Sequence, residues 1–167
     1  MFQINEVIVY GTQGVCQIVG TEVKKISGSQ KTYFVLKPVK ENGATIFAPT
    51  DNEFVLRKMR RLLTKDEIDK LIEAMATESA EWVKNDNERK ELYKQILASG
   101  DHLELIKMIK AIYLHKKGCE AAGKRLHMID EHFFRDAEQI LYNEFQYVLD
   151  LKTKDDLMSY IVSRIEK

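Results

Sequence analysis

The residues of this chain that could do chemistry are one tryptophan and a set of basic side chains in its second half. Trp82 is the only tryptophan and lies in the polar run 81–87. A large apolar ring beside cations is typical of a side chain that wedges against or between nucleobases. The candidate phosphate contacts are Lys84, Arg89, Lys90, Lys116, Lys117, Lys124 and Arg125. The alternative is a half-buried packing residue at a helix junction, surrounded by ordinary solvated charges.

No catalytic motif accompanies these residues. The sequence contains neither a glycine-rich phosphate loop nor a G-x-S-x-G turn. The four histidines, at positions 102, 115, 127 and 132, lack H-x-x-x-H spacing with a third ligand. Cys16 and Cys119 show no metal-site spacing, so we predict small buried thiols of a reducing cytoplasm. We therefore predict that the protein is not an enzyme and needs no cofactor, metal or small-molecule substrate.

Charge is spread unevenly along the chain, although the net charge is zero. Residues 1–63 carry nine Lys/Arg and five Asp/Glu, a balance of +4, and residues 84–127 carry ten and six, again +4. The flanking segments 64–83 and 128–167 are each −4. A basic middle between acidic ends permits a local contact with phosphates, whereas a protein that coats DNA would be basic throughout.

Neither a membrane span nor a secretion signal is predicted. No apolar run approaches the roughly 18 residues that a spanning helix requires. Residues 1–6 have neither the basic start nor the apolar core of a signal peptide. We therefore expect a cytoplasmic protein without a membrane partner.

The elements that must position these side chains change character near residue 61. Both prolines and five of the eight glycines lie within the first fifty residues, among apolar residues that alternate with period two. Four or five short strands with tight turns predict a small curled barrel. The predicted strands cover residues 6–10, 15–19, 31–37 and 44–48. Pro38 and Pro49 should end the last two, because proline cannot donate to a strand ladder.

One predicted strand could bind another protein. Thr45, Ile46 and Phe47 would lie at the edge of the sheet, with unpaired backbone groups that accept a strand from a partner. The alternative is an internal strand with Phe47 in the core.

Everything after residue 61 has a helical pattern. Thr64 and Glu67 form a capping box, which starts the first helix at about residue 65. Gly118 should end or weaken the third helix, which buries Tyr113 among its apolar residues. Five helices are predicted over residues 65–77, 79–98, 102–118, 129–149 and from 154 onward. The fold class is therefore α+β, with a β-rich domain at 1–61 and a compact helical domain at 62–167.

Stretches of both domains resemble the CarD/CdnL family of bacterial transcription regulators. The N-terminal module also occurs in the transcription-repair coupling factor, as its RNA-polymerase-interacting domain. Because the helicase motifs of that factor are missing, the chain is more similar to the stand-alone regulators. The residues that carry the resemblance are 7–16, 33–38, 46–52, Trp82, 98–101 and 137–145.

The resemblance implies a fold and two partners. The first domain would be a Tudor/SH3-like barrel that binds the RNA polymerase β subunit strand to strand, through Thr45, Ile46 and Phe47. The helical domain would contact promoter DNA at the upstream fork, where Trp82 enters the minor groove and stabilises the open complex. Backbone and wedge contacts carry little base information, so little sequence specificity is expected. The protein would be nucleoid-associated through polymerase.

Some positions depart from the family pattern. The strand position of Phe47 is often basic in relatives, so an apolar contact would replace an ion pair. Glu131 and His132 also lie where some relatives place basic residues. The alternative function is a protein-interaction adaptor that docks on polymerase without touching DNA.

Overall fold

The structure is a computed structural model that describes residues 2–40 and 43–165. The chain divides into two compact units, Met1–Leu62 and Leu63–Lys167. The first unit is built on a sheet and the second is all helical, which confirms the predicted α+β class. Within the described ranges, no helix is both long and apolar enough to cross a membrane.

The first unit contains a five-stranded antiparallel sheet with the strand order β4-β3-β2-β1-β5. Its strands are β1 Val7–Tyr10, β2 Gly14–Ile26, β3 Ser29–Pro38, β4 Ile46–Pro49 and β5 Met59–Arg61. Strands β2 and β3 form a long hairpin, so β4 and β5 are left as the two edges.

Turn chemistry explains where these strands start and stop. Gly11 and Gly14 take positive φ angles of 47° and 85° around the 3-10 turn between β1 and β2, a region open to glycine without strain. Pro38 ends β3 and Pro49 ends β4, as predicted, because a proline supplies no donor for the next rung of a ladder.

The hairpin is longer than the sequence pattern predicts, and the fifth strand was not located from the sequence. Beyond Val19 the two hairpin strands are mostly exposed on both faces, so no burial alternation marks them. In β5 only Met59 is buried. The sheet core consists of Ile8, Cys16, Ile18, Leu36, Ala48 and Met59.

The helices are α1 Glu53–Leu56, α2 Lys65–Thr77, α3 Asp86–Ser99, α4 His102–Ala121, α5 Met128–Val148 and α6 Lys154–Ile165. The first of them belongs to the sheet unit. Thr64 caps α2: its Oγ1 accepts from the Glu67 amide at 3.2 Å, and Glu67 Oε1 accepts from the Thr64 amide at 3.1 Å. The predicted capping box and the predicted range of this helix are therefore confirmed.

One helix prediction was wrong, and one of the two alternatives given for another helix is excluded. The second helix was expected from residue 79, but α3 begins at Asp86 because Asn85 Oδ1 accepts from the Glu88 amide at 3.0 Å and caps it there. Helix α4 continues past Gly118 to Ala121. One glycine costs a helix about 1 kcal/mol, too little to end a helix that its buried residues already hold.

The helical unit packs around α4 and α5. The apolar stripe predicted for α5 is buried at Phe133, Ala137, Ile140, Leu141 and Phe145. Tyr113 was predicted to face the core, yet 46% of it is exposed. The fully buried contributions from the other helices include Ile68, Ile72, Leu105, Ile112 and Leu157.

Candidate functional site

Strand β4 is a free edge of the sheet. It pairs with β3 on one side, and within the described residues no strand pairs with its other side. The Thr50 amide donates to the Thr32 carbonyl at 3.0 Å. Because bonding alternates along an antiparallel strand, the N–H and C=O of Ala48 face β3 and those of Phe47 face outward. Phe47 therefore offers one backbone donor and one acceptor to a partner strand.

At this edge the ammonium group of Lys24 lies over the aromatic ring of Phe47. Thr45 precedes the strand and is exposed, Ile46 is half-buried, and Phe47 is 37% exposed, so Phe47 is not a core residue. The Nζ of Lys24 lies 3.3 Å from the Phe47 ring centroid, a cation–π contact. Lys24 also stands opposite Lys31 in the hairpin register. The sequence did not single out Lys24, because only the sheet pairing brings it to the ring.

The second candidate site surrounds Trp82, which lies between α2 and α3 in an irregular stretch, residues 78–85, that we name the Trp82 segment. The Nζ of Lys110 donates to the Glu78 carbonyl at 2.7 Å and holds the start of the segment. The Nη1 of Arg89 donates to the Val83 carbonyl at 2.8 Å and holds its end.

The indole of Trp82 packs between two planar groups. The His115 ring stacks on it with a centroid separation of 3.7 Å and an interplanar angle of 4°. The Cζ of Arg89 lies 4.2 Å from the indole centroid. Two planar groups at such distances would overlap on one face, so they cover opposite faces. The residue is half-buried; with both faces of the indole covered, the part of the ring that solvent can reach is its edge.

Arg89 is not the exposed phosphate contact that the sequence suggested. It is 3% exposed, and its Nε and Nη2 donate to the two carboxylate oxygens of Asp130 at 3.0 and 2.9 Å. A further bond of 2.9 Å runs from Nη2 to Asp86. Burial by itself lowers the pKa of Arg89, but hydrogen bonds and charge from Asp130 and Asp86 outweigh it and raise that pKa. All three nitrogen atoms of the guanidinium therefore donate hydrogen bonds, and the cation is held in a fixed position.

The remaining predicted basic residues are placed where phosphates could reach them. Five are exposed: Lys84, Lys90, Lys117, Lys124 and Arg125. Lys116 is half-buried, with its Nζ 3.6 Å from Glu131. Lys116 and Lys117 follow His115 in α4, but residues one and two positions along a helix project away from its face, so the stack on Trp82 does not itself bring these two side chains to the indole. Lys124 and Arg125 lie in the loop between α4 and α5.

Two residues of this site escaped the sequence analysis. Asp130 precedes Phe133 and Ala137 at helical spacing, so it lies on the core-facing stripe of α5. A carboxylate on such a stripe signals a buried ion pair. His115 gave no comparable signal, because its partner is distant in the chain.

The cysteines differ in accessibility. Cys16 is buried in the sheet core, and burial raises the pKa of its thiol to about 11. Cys119 in α4 is only half-buried. Over residues 2–40 and 43–165, no group of three or more His, Cys, Asp or Glu side chains is arranged to hold a metal ion.

One comparison with known proteins bears on the first unit. Residues 2–62 match the family model described as the CarD-like/TRCF RID domain. This confirms the resemblance predicted for the N-terminal module, which is therefore an RNA-polymerase-interacting domain. The match ends where the helical unit begins.

Proposed function

We propose that this polymerase-interacting domain works with the helical unit as a non-enzymatic regulator of transcription at the nucleoid. The first unit binds the β subunit of RNA polymerase through strand β4. The helical unit contacts promoter DNA at the upstream fork, where Trp82 abuts the minor groove and stabilises the open complex. The family match over residues 2–62 carries the polymerase half of the proposal, and the Trp82 site supports the DNA half.

The free edge of β4 supports binding by strand addition. In that mode main-chain hydrogen bonds provide affinity, and side chains at alternate positions provide specificity. Phe47 turns its N–H and C=O outward. The Lys24 cation over its ring supplies positive charge at this edge, in place of the basic residue that relatives often carry in the strand.

A proline at position 47 tests strand addition. Proline is tolerated where the lost N–H faces away from the ladder, so Phe47→Pro removes the outward donor and leaves the bond to β3 intact. A buried acceptor left unpaired costs about 1–3 kcal/mol. We expect Phe47→Pro to weaken binding of the full chain to polymerase by about 5- to 150-fold beyond the control Phe47→Ala, which loses only the ring. Equal binding of the two variants, measured by titration, would contradict strand addition.

The surroundings of Trp82 support a DNA contact without sequence readout. Trp82 is half-buried, and Lys84 in its own segment is exposed. Lysine contacts to phosphates fix position and orientation, and an apolar ring at the fork opposes re-stacking of the separated bases. Slower bubble collapse would lengthen the life of the open complex.

The lifetime of promoter complexes tests the role of Trp82. We expect the unmodified protein to prolong that lifetime and Trp82→Ala to lose the effect while it still binds polymerase. If both proteins prolong it equally, the adaptor function is correct instead. The acidic segments 64–83 and 128–167 favour that second function, because they suit a protein partner of the helical unit.

The salt dependence of DNA binding tests the phosphate contacts. Each lost contact should lower the slope of log K against log salt by about 1. We expect this for Lys117→Gln, since Lys117 is an exposed member of the predicted phosphate contacts. Lys152→Gln is the matched control, an exposed lysine between α5 and α6. Identical slopes for both variants would remove Lys117 from the interface.

A further inference from the structure

We propose that His115 and Arg89 are positioning residues, which clamp the Trp82 indole between them so that it meets DNA with its edge. This inference rests on the proposed role of Trp82 at the fork. It assigns a task to a histidine and to a buried arginine that no motif predicts.

The backbone around Trp82 needs such a device. The Trp82 segment is irregular, so no helical hydrogen bonds fix its side-chain directions. It is held at its two ends, by Lys110 at the Glu78 carbonyl and by Arg89 at the Val83 carbonyl. Between these two bonds, the direction of the indole is set by what covers its faces.

Arg89 forms the rigid side of the clamp. Its bidentate pair with Asp130 connects the first turn of α3 to the first turn of α5. Two parallel N–H···O bonds fix the plane of a guanidinium as well as its position. The Cζ of that guanidinium lies 4.2 Å from the indole centroid, so the ion pair fixes a group against which the ring packs.

His115 forms the other side. Its ring is parallel to the indole within 4° at 3.7 Å, and it projects from α4, a helix of twenty residues whose buried side chains anchor it in the core. With one group on each face, the ring cannot enter a base stack unless it leaves both. An indole that keeps both contacts can only press its exposed edge against the base pairs. Such a ring is already ordered before DNA arrives, so less conformational entropy is lost on binding.

The single tryptophan makes the clamp measurable in the protein alone. We expect His115→Ala to increase acrylamide quenching of Trp82 fluorescence and to shift its emission to longer wavelength, because one face becomes open to water. His115→Phe restores a stacked ring and should return both signals toward wild type. His132→Ala is the matched control, since His132 is an exposed histidine on α5. Far-UV circular dichroism confirms that each variant is folded.

The same variants are then compared by open-complex lifetime. Stacked aromatic pairs are worth about 0.5–1.5 kcal/mol, so His115→Ala should shorten the lifetime conferred by the protein by about 2- to 12-fold. His115→Phe should recover it, and His132→Ala should not change it. Arg89→Lys, which keeps the charge and loses the planar fork, should change both fluorescence and lifetime in the same direction as His115→Ala.

The outcomes separate this inference from the function on which it rests. If Trp82→Ala does not alter the lifetime, the proposed DNA role fails, and the quenching data alone decide whether the clamp exists. If Trp82→Ala shortens the lifetime and His115→Ala leaves it unchanged or lengthens it, the clamp is not a positioning device. A longer lifetime would show that the indole works only after it leaves its stack.

Discussion

The ion pair between Arg89 and Asp130 gives the sharpest test of how the helical unit is held together. Both side chains are almost fully buried, at 3% and 2% exposure, and two bonds of 2.9–3.0 Å join them. Asp130→Asn keeps the size of the side chain and removes its charge. Breaking a buried pair from one side costs about 3–5 kcal/mol, because the remaining ion stays buried without full compensation. Asp86 also accepts a hydrogen bond from Arg89 and offsets part of that loss. We therefore expect Asp130→Asn to lower the free energy of unfolding by about 3 kcal/mol.

That cost is large for a unit of this size. At about 0.05–0.15 kcal/mol per residue, the 105 residues of Leu63–Lys167 should have a free energy of unfolding of about 5–15 kcal/mol. With a urea m-value of about 1.5 kcal/mol per molar, a loss of 3 kcal/mol moves the unfolding midpoint about 2 M lower. Trp82 reports the unfolding of this unit specifically, since the first unit contains no tryptophan.

The matched control is Asp86→Asn. Its carboxylate is 77% exposed and makes a single bond of 2.9 Å to Arg89, and exposed pairs contribute about 0–1 kcal/mol. A midpoint for Asp130→Asn within 0.5 M of this control, or about 0.75 kcal/mol at the same slope, would refute the reasoning. Arg89 would then be solvated in solution, and its fixed position beside the indole would no longer follow.

The remaining predictions concern two cysteines and two glycines outside the proposed sites. At pH 8 a disulfide reagent should modify Cys119 and spare Cys16, because burial raises the pKa of the Cys16 thiol to about 11. As the pH rises from 9 towards 11, the Cys16 thiol ionises only in the unfolded chain, so the free energy of unfolding should fall over that range. Cys16→Ala should reduce that fall. Gly118→Ala should stabilise the chain by about 0.5–1 kcal/mol in urea unfolding, since Gly118 lies within α4 with open space around it. Gly100→Ala should instead destabilise it by about 1 kcal/mol, because Gly100 closes α3 at a φ of 66°. A loss of stability for Gly118→Ala, or a gain for Gly100→Ala, would contradict these conformations.

Local chemistry made most of the fold predictable from the sequence. The capping box at Thr64 sets the start of α2, and Pro38 and Pro49 end their strands. Each of these signals acts through backbone groups a few residues away, so no knowledge of the rest of the chain is needed. The resemblance of the first module to a polymerase-interacting domain was equally predictable, because it rests on short stretches of sequence that need no knowledge of the packing.

The candidate sites were predicted only in part from the sequence. The sequence singled out Trp82 and Phe47 as unusual residues, yet it placed Trp82 on a helix and treated Arg89 as a surface charge. Whether an arginine is solvated or buried depends on whether a carboxylate lies across from it, and here that partner comes from a helix 41 positions further along the chain. Neither the 3.6-residue nor the two-residue period carries that information.

The sequence by itself determined four of the five strands and the approximate positions of the helices after residue 61, and it singled out Trp82 and Phe47. The tertiary structure alone decided that Lys24 lies on the ring of Phe47 and that His115 and Arg89 enclose Trp82. Secondary structure is fixed by short-range hydrogen bonds and steric limits within a few residues. Contacts between distant side chains exist only after the elements pack, because burial then sets which partners meet and what an unpaired charge costs.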